Sequence, residues 1–591
     1  MGNLGLKFYC FTLAILFLSA CSRLEGENQA HKSETAVGGK TGVQVTAASE
    51  PVDKRPNILL IVVDDMGYND LSINGSEIRT PNLDSLMQQG MILDNFHVAP
   101  TCSPTRAMLL SGTDNHIAGL GNMADAVTDN QKGKPGHEGY LNFRVAALPE
   151  VFQDAGYHTY MTGKWHLGLT QETGPSARGF DKSFIMAQGG AGAFSNMLPL
   201  SGPNKAIYSE DGKQLESLPD SFYSTRFYSE RMIEYIDANH GDGKPFFAYL
   251  AYTAPHWPLQ APRDSIAKYH GVYDEGYESL KNQRLQALKD KGLVDSKLNP
   301  FPRFSDEPGW DSLSVDEQRY QTRIMEVYAA MLDDLDIYIG RIVDHLKAID
   351  EYDNTFIFFL SDNGPESHDF LGGAEWPGFR EYLAECCDNS IDNIGNANSY
   401  VWYGRNWGQA GNTPSRMYKG FTTQGGIRVP AFAHYPKGIE SAGKRKDTML
   451  HVMDVMPTLL ELAGIAHPGS SYRGREVVAM KGLSMLPFMR GESEHVHADD
   501  YVFGWELFGK RAIRQGDWKI VYEPFHKSLE PRIAGIKADS WQLYNLAADP
   551  IELTDLSDKY PEKLEAMINH WDEYVLDTGL ILPNKWQLGG Y

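Results

Sequence analysis

The chain has 591 residues, enough for one large domain plus a smaller one, or for three ordinary domains. With 42% apolar and 22% charged residues it can bury a substantial core, which excludes a disordered protein. A formal charge of -23 excludes broad binding to a nucleic-acid backbone, which needs basic surface.

Lys7 precedes the apolar run FYCFTLAILFL, of signal-peptide length and too short to span a membrane comfortably. The run ends in LSAC, so the segment resembles a bacterial lipoprotein signal in which Cys21 becomes the lipidated first residue. An ordinary cleaved signal is the alternative. Ser22 follows, with no Asp to suggest inner-membrane retention. Residues 1–20 are thus expected as signal and 21–54 as a lipid-anchored flexible linker, with a reach of about 30 Å. This implies an exported protein of the bacterial cell envelope, at the outer membrane or in the periplasm, meeting the membrane through its lipid.

Of the five cysteines, Cys10 leaves with the signal and Cys21 carries the lipid. Cys102 and the adjacent pair Cys386 and Cys387 remain. An exported chain is in a disulfide-permissive compartment. Adjacent cysteines close a strained ring, so the pair is expected as two buried thiols. A bridge from Cys102 to either stays open.

Four apolar runs end in polar residues. NILLIVVDDMG (57–67) reads as a parallel strand buried on both faces and stops at Asp64 and Asp65. YHTYMTGKWHLG (157–168) ends at Lys164 and His166, PFFAYLAYTAPHWP (245–258) at His256, and NTFIFFLSDNGPE (354–366) at Asp362 and Asn363. Helical patterns such as AALPEVFQDAG and EVYAAMLDDLDIYIGRIVDHLKAI lie between them. The alternation predicts an α/β fold with a large, mostly parallel sheet between helices, whose polar strand ends converge on one crevice. Beyond about residue 490, YVFGWE, RAIRQGDWKIVYE and WQLYNLAADP read as antiparallel strands, before an amphipathic helix around PEKLEAMINHWDEYV. The expected division is a catalytic domain over 55–490 and a smaller α+β domain over 491–591.

Taken singly, an Asp-Asp pair after a strand is a cap or turn, and a DNG is a turn. Together they say more. Two adjacent carboxylates repel, so burying both requires a cation, and Asp362 with Asn363 would complete its ligands. Oxygen ligands of this kind suit Ca²⁺ or Mg²⁺.

In CSPTRAMLLSG (102–112), Pro104 suits the first turn of a helix. Cys102 would then sit at a helix N-terminus, with Arg106 one turn along, and a thiol there is expected to have a depressed pKa. Sulfur is nevertheless a poor partner for a hard metal held by carboxylates. The mismatch is resolved if oxygen chemistry replaces the thiol.

C-S-P-T-R followed by AMLLSG resembles the sulfatase signature, the C-x-P-x-R element whose cysteine is oxidised to formylglycine. Its companions stand in the family's order: DDMG, GKWHLG, TAPHWPLQAP, SDNG, and YKGFTTQGGIRVP with Lys419. The region DNSIDNIGNANSYVWYGRNWGQAGNTPSRMYKGFTTQGGIRVP looks most like bacterial arylsulfatases. The resemblance implies an alkaline-phosphatase-like fold and hydrolysis of sulfate monoesters to an alcohol or phenol plus sulfate. It implies one Ca²⁺ per chain, with Mg²⁺ as runner-up, bound by Asp64, Asp65, Asp362, Asn363 and an oxygen of modified Cys102. One hydroxyl of the hydrated aldehyde attacks sulfur, with Asp362 as proton acceptor. His256 protonates the leaving alcohol, and Lys164 and Lys419 hold sulfate oxygens. His166 takes the proton of the second hydroxyl as sulfate is expelled, and Arg106 and Lys164 orient the modified residue. Implied partners are a small sulfate ester and a formylglycine-generating maturation enzyme.

Two other readings compete. One is a phosphonate or phosphate monoester hydrolase of the same superfamily; the other is a non-catalytic, lipid-anchored binding protein. The insertions 262–323 and 366–415 are expected to shape the rim of the pocket, mostly through packing.

Overall fold

The computed structural model describes residues 55–303, 307–367, 378–439, 442–524 and 539–584. The signal, the linker and Cys21 lie outside the described residues. Among the described residues, no helix is long and apolar enough to cross a membrane.

Ten strands form the main sheet: β1 (Asn57–Val63), β2 (Met91–Leu93), β3 (His158–Lys164), β4 (Lys182–Met186), β5 (Tyr208–Glu210), β6 (Lys213–Leu215), β7 (Phe246–Ala251), β8 (Thr355–Ser361), β9 (Ala431–His434) and β10 (Lys444–Lys446). Their order across the sheet is β10-β2-β9-β8-β1-β7-β3-β4-β5-β6. The central five, β8, β1, β7, β3 and β4, run parallel. Antiparallel pairs follow on both sides, so the sheet is mixed, with the parallel part at its centre.

The unbroken apolar run of β1 is explained by burial on two sides. Leu59, Ile61 and Val63 enter one hydrophobic layer, while Ile58, Leu60 and Val62 enter the other. The first layer is covered by the helices Ser224–Asn239 and Val315–Ala348, through residues such as Met232, Leu332 and Ile339. The second is covered by the helices Cys102–Ser111, Leu148–Asp154 and Val455–Leu462. With both faces occupied by helices, the strand ends are left for a ligand, and in open α/β sheets it is the carboxyl ends that bind.

A second, four-stranded antiparallel sheet follows: β11 (Val502–Leu507), β12 (Lys510–Gln515), β13 (Trp518–Tyr522) and β14 (Trp541–Asn545). The stretch RAIRQGDWKIVYE folds as the hairpin β12–β13. One face packs Phe503, Trp505, Val521 and Tyr544 on Ile427. The other is covered by Met567 and Trp571 of the helix Pro561–Thr578.

Polar contacts tie this sheet to the segment 416–424. Arg416 bonds Glu523 at 2.6 Å and Tyr544 at 2.9 Å, and Glu552 accepts from Lys519 at 2.7 Å and from the Gln424 backbone at 2.8 Å. All of these side chains are buried.

Cys386 and Cys387 are bonded to each other and half-buried, which corrects the expectation of two buried thiols. The helix Phe379–Cys386 stops between them and Cys387 turns extended, which brings the sulfurs together. Cys102 is a buried free cysteine.

His116 lies against β11, with Nδ1 2.9 Å from Asp114 and Nε2 3.3 Å from Glu506, while Tyr574 donates to Asp114 at 2.8 Å. Burial opposes a charge on this ring, but Asp114 and Glu506 outweigh it and push the imidazole up to about 9. The neighbouring His137 is driven the opposite way, to about 4, by burial and by repulsion from His116. A histidine raised in the folded state adds stability that is complete below its unfolded pKa of about 6.5 and lost as pH rises through its folded value. The melting temperature should therefore decline from about pH 7 to pH 9, and His116→Gln should flatten that decline in scanning calorimetry. Parallel pH profiles for the two proteins would contradict a charged His116.

Candidate active site

The four polar strand ends meet in one place. β1 runs into Asp64 and Asp65, and β8 into Asp362 and Asn363. The Asp362 N–H donates to the Val63 carbonyl at 3.0 Å and the Asp65 N–H donates to Asp362 Oδ1 at 3.3 Å. Asp65 has φ of 70°, a left-handed conformation uncommon outside glycine, and the strain marks a held geometry. The following loop is pinned by buried Asp70, which accepts from Gly67 N–H at 2.8 Å, Tyr328 at 2.6 Å and Arg284 at 2.7 Å. Arg284 comes from the 262–323 insertion, so that insertion also supports the floor of the site.

Each carboxylate has a cation. Lys164 Nζ lies 2.9 and 2.8 Å from the two oxygens of Asp64. Arg106 donates Nε and Nη2 to Asp362 Oδ2 at 2.9 and 2.7 Å, and Nη1 to the Lys164 carbonyl at 2.9 Å. Lys419 lies 2.8 Å from Asp65 Oδ1 and 3.0 Å from Glu366 Oε2. It arrives on a loop that touches the end of β8. Lys419 N–H donates to Pro365 O at 3.2 Å and Gly364 N–H to Gly426 O at 3.0 Å. Gly364 is required there for space rather than for a turn, because a Cβ would overlap the Gly425 carbonyl oxygen.

Burial, with repulsion from Asp362 and Asp65, outweighs Lys164 and pushes Asp64 up to about 8. Burial likewise raises Asp65 to about 6 despite Lys419. Asp362 goes the other way: burial would raise it, but Arg106 foremost, then Lys164 and Lys419, holds it below the usual carboxylate range.

Cys102 is the first residue of its helix, as expected. Its thiol, however, is pushed up to about 12 by burial, which overrides Lys164 and Lys419. This corrects the expectation of a depressed pKa: desolvation of a fully buried group exceeds the pull of a helix end. Arg106, one turn along, pairs with Asp362.

The two histidines differ. His256 Nδ1 lies 2.6 Å from the Trp257 carbonyl, which makes Nδ1 the protonated nitrogen, and Nε2 faces Asp65 Oδ2 at 3.6 Å. Burial first, then Lys419 and Lys164, holds this ring well below the usual histidine value. His166 is half-buried, with φ of 54° and no partner for Nδ1 among the described residues. Burial and the three cations keep it neutral too.

One ligand atom from each of Asp64, Asp65, Cys102 and His256 falls within 4.8 Å of the others. Asn363 donates Nδ2 to Asp65 at 2.6 Å, and its buried Oδ1 has no partner among the described residues. An orphaned amide oxygen beside carboxylates that burial drives towards protonation fits a hard divalent cation.

Glu366 is the site residue that sequence reasoning missed. It is buried, bonds Lys419, and accepts from Trp257 Nε1 at 3.2 Å. Its signal was its place directly after SDNGP.

The sulfatase family model matches residues 56–465. The chain belongs to the sulfatase family. It hydrolyses sulfuric esters. A second model, of the N-sulphoglucosamine sulphohydrolase C-terminal region, matches residues 416–573, so the Lys419 loop lies in both matches. An uncharacterized sulfatase of Schizosaccharomyces pombe is 46% identical, over 89% of this chain and 95% of that one. An arylsulfatase of Klebsiella aerogenes is 39% identical, over 73% of this chain and 91% of that one. The solved structure of Ps i-CgsB is similar at a TM-score of 0.63 with 25% identity, covering 90% of this chain and 95% of that one. The phosphonate monoester hydrolase of Agrobacterium radiobacter shares the fold at a TM-score of 0.52 and 18% identity, covering 89% of this chain and 95% of that one.

A hard divalent cation, calcium or magnesium, added to metal-free sulfatase should stabilise it, by about 2.7 kcal/mol at a hundredfold excess over Kd. Asp64→Asn should remove the rise in melting temperature. Stabilisation by zinc but not by calcium or magnesium would contradict an oxygen-ligand site.

Proposed function

We propose that this sulfatase matures by oxidation of Cys102 to formylglycine and cleaves oxygen-linked sulfate monoesters of arylsulfatase type, with one Ca²⁺ held by Asp64, Asp65, Asp362, Asn363 and an oxygen of residue 102; Mg²⁺ is the runner-up. The observation that carries this reading is the Cys102 thiol among hard oxygen donors, pushed to about 12 where neither a nucleophilic thiolate nor a hard-metal ligand results. Bound there, the ion supplies positive charge that offsets charge on the transferring group.

The chain's own residues then divide the work. Lys164 and Lys419 present ammonium groups to sulfate oxygens, and Arg106 holds Asp362 ionised beside residue 102. One hydroxyl of the hydrated aldehyde attacks sulfur and passes its proton to Asp362. The alcohol leaves with a proton from His256. In the substrate-free protein His256 is neutral with its proton on Nδ1, so the donor role depends on the negative charge that arrives with the ester. The second hydroxyl gives its proton to His166, which burial, together with the surrounding cations, keeps as a neutral base. Sulfate departs as the aldehyde re-forms, and water restores the hydrate.

Charge counting supports sulfate over phosphate. Asp64, Asp65, Asp362 and Glu366 oppose Arg106, Lys164 and Lys419, so a divalent ion leaves one net positive charge. That balances a sulfate monoester, whereas a phosphate monoester carries about two negative charges near neutral pH. A family maturation enzyme would supply the formylglycine. Peptide mass spectrometry of fully active protein should find the aldehyde or its hydrate at residue 102, and Cys102→Ala should lose turnover of nitrophenyl sulfate. An intact thiol in fully active protein would reject the mechanism.

For localisation, we propose that lipid on Cys21 anchors the enzyme to the cell envelope facing away from the cytoplasm. The support is LSAC at the end of a short apolar run. Cys21→Ala should release a soluble exported form or leave the precursor unprocessed; unchanged membrane attachment would contradict the anchor.

A further inference from the structure

Lys419 is held between two carboxylates, Asp65 and Glu366. Asp65 belongs to the donor cluster that could hold a metal ion. Glu366 is outside that cluster and presents its Oε2 to Lys419 and to Trp257 Nε1. Its other oxygen accepts from the Ser367 N–H at 2.8 Å, which fixes the carboxylate from behind. Trp257 is the neighbour of His256 and stacks on it, with ring centroids 5.0 Å apart. Glu366 therefore places a fixed negative charge beside the anion-holding lysine and against the indole that stacks on His256. In so dry a position a unit charge acts on its neighbours with little screening.

We infer that Glu366 is a specificity-determining, positioning residue that restrains the positive charge of Lys419 and so makes the site select singly charged sulfate esters over doubly charged phosphate esters. The inference rests on the sulfate-ester reading above and deepens it. Size and shape cannot perform this discrimination, because sulfuryl and phosphoryl groups are both tetrahedral and differ chiefly in charge. The fold does not perform it either, since a phosphonate monoester hydrolase shares it. Removing the Glu366 charge raises the net charge of the site by one unit, whatever cation is bound, and the added attraction is larger for a dianion than for a monoanion. The amide of Glu366→Gln keeps an oxygen for Trp257 Nε1–H, whereas Glu366→Asp keeps the charge and shortens the arm.

The test is the ratio of kcat/KM for nitrophenyl sulfate to kcat/KM for nitrophenyl phosphate, measured on matured wild type, Glu366→Gln and Glu366→Asp. A shared leaving group cancels general damage to the site. Glu366→Gln should lower the ratio by about tenfold or more, in line with one unscreened charge at short range. Glu366→Asp should keep the ratio within about threefold of wild type even if both rates fall. An unchanged ratio in Glu366→Gln, or an equal shift in both variants, overturns the inference alone. A wild type that prefers the phosphate ester overturns the sulfate-ester reading and this inference with it. Calorimetry on wild type gives a second readout that requires neither turnover nor a folded variant. Monomethyl phenylphosphonate, a monoanion, should bind more tightly than phenylphosphonate at about pH 8, where the latter is a dianion. Equal or tighter binding of the dianion overturns the inference.

Discussion

Everything in this active site follows from placing four carboxylates in a dry crevice at the ends of parallel strands. Asp64, Asp65, Asp362 and Glu366 are all buried, and none could be so without compensation. Three cations from three other parts of the chain supply most of it. Arg106 comes from the helix that opens with Cys102, Lys164 from the end of β3, and Lys419 from the loop after residue 415. Burial pushes Asp64 and Asp65 towards protonation, repulsion among the carboxylates adds to it, and with one positive charge too few a divalent ion suits the gap.

The same constraint gives the small C-terminal sheet a part in chemistry it never touches. The loop that delivers Lys419 is flanked by Arg416 and Gln424, and both are anchored on buried carboxylates, Glu523 and Glu552. Breaking one partner from such a buried pair typically costs about 3–5 kcal/mol. These anchors hold the loop on which Lys419 reaches its two carboxylates. The left-handed turn at Asp65 is maintained in a comparable way, through Asp70, Arg284 and Tyr328.

The central strands were legible because a strand buried on both faces must be apolar throughout, and β1 and β8 are. The short outer strands β2, β5 and β10 were not, because three residues carry no periodicity. The site residues were legible as polar endings of apolar runs and through the family's motifs. Their pairing was not: Arg106 and Asp362 lie 256 positions apart, and no local pattern connects them. Glu366 was missed because a lone acid after a Gly-Pro turn looks like loop surface. The thiol of Cys102 was misjudged for a physical reason: position at a helix end is visible in a sequence, but complete burial of the helix is not.

The central claim is that the carboxylate cluster exists to hold one hard cation against an oxygen on residue 102. X-ray diffraction from fully active crystals, with anomalous data on either side of the zinc edge and near the calcium signal, addresses it directly. The account predicts a single calcium-like peak among Asp64, Asp65, Asp362 and Asn363, with residue 102 carrying two oxygens in place of sulfur. Two metal peaks, a zinc edge, or an intact thiol at residue 102 in active crystals would contradict it.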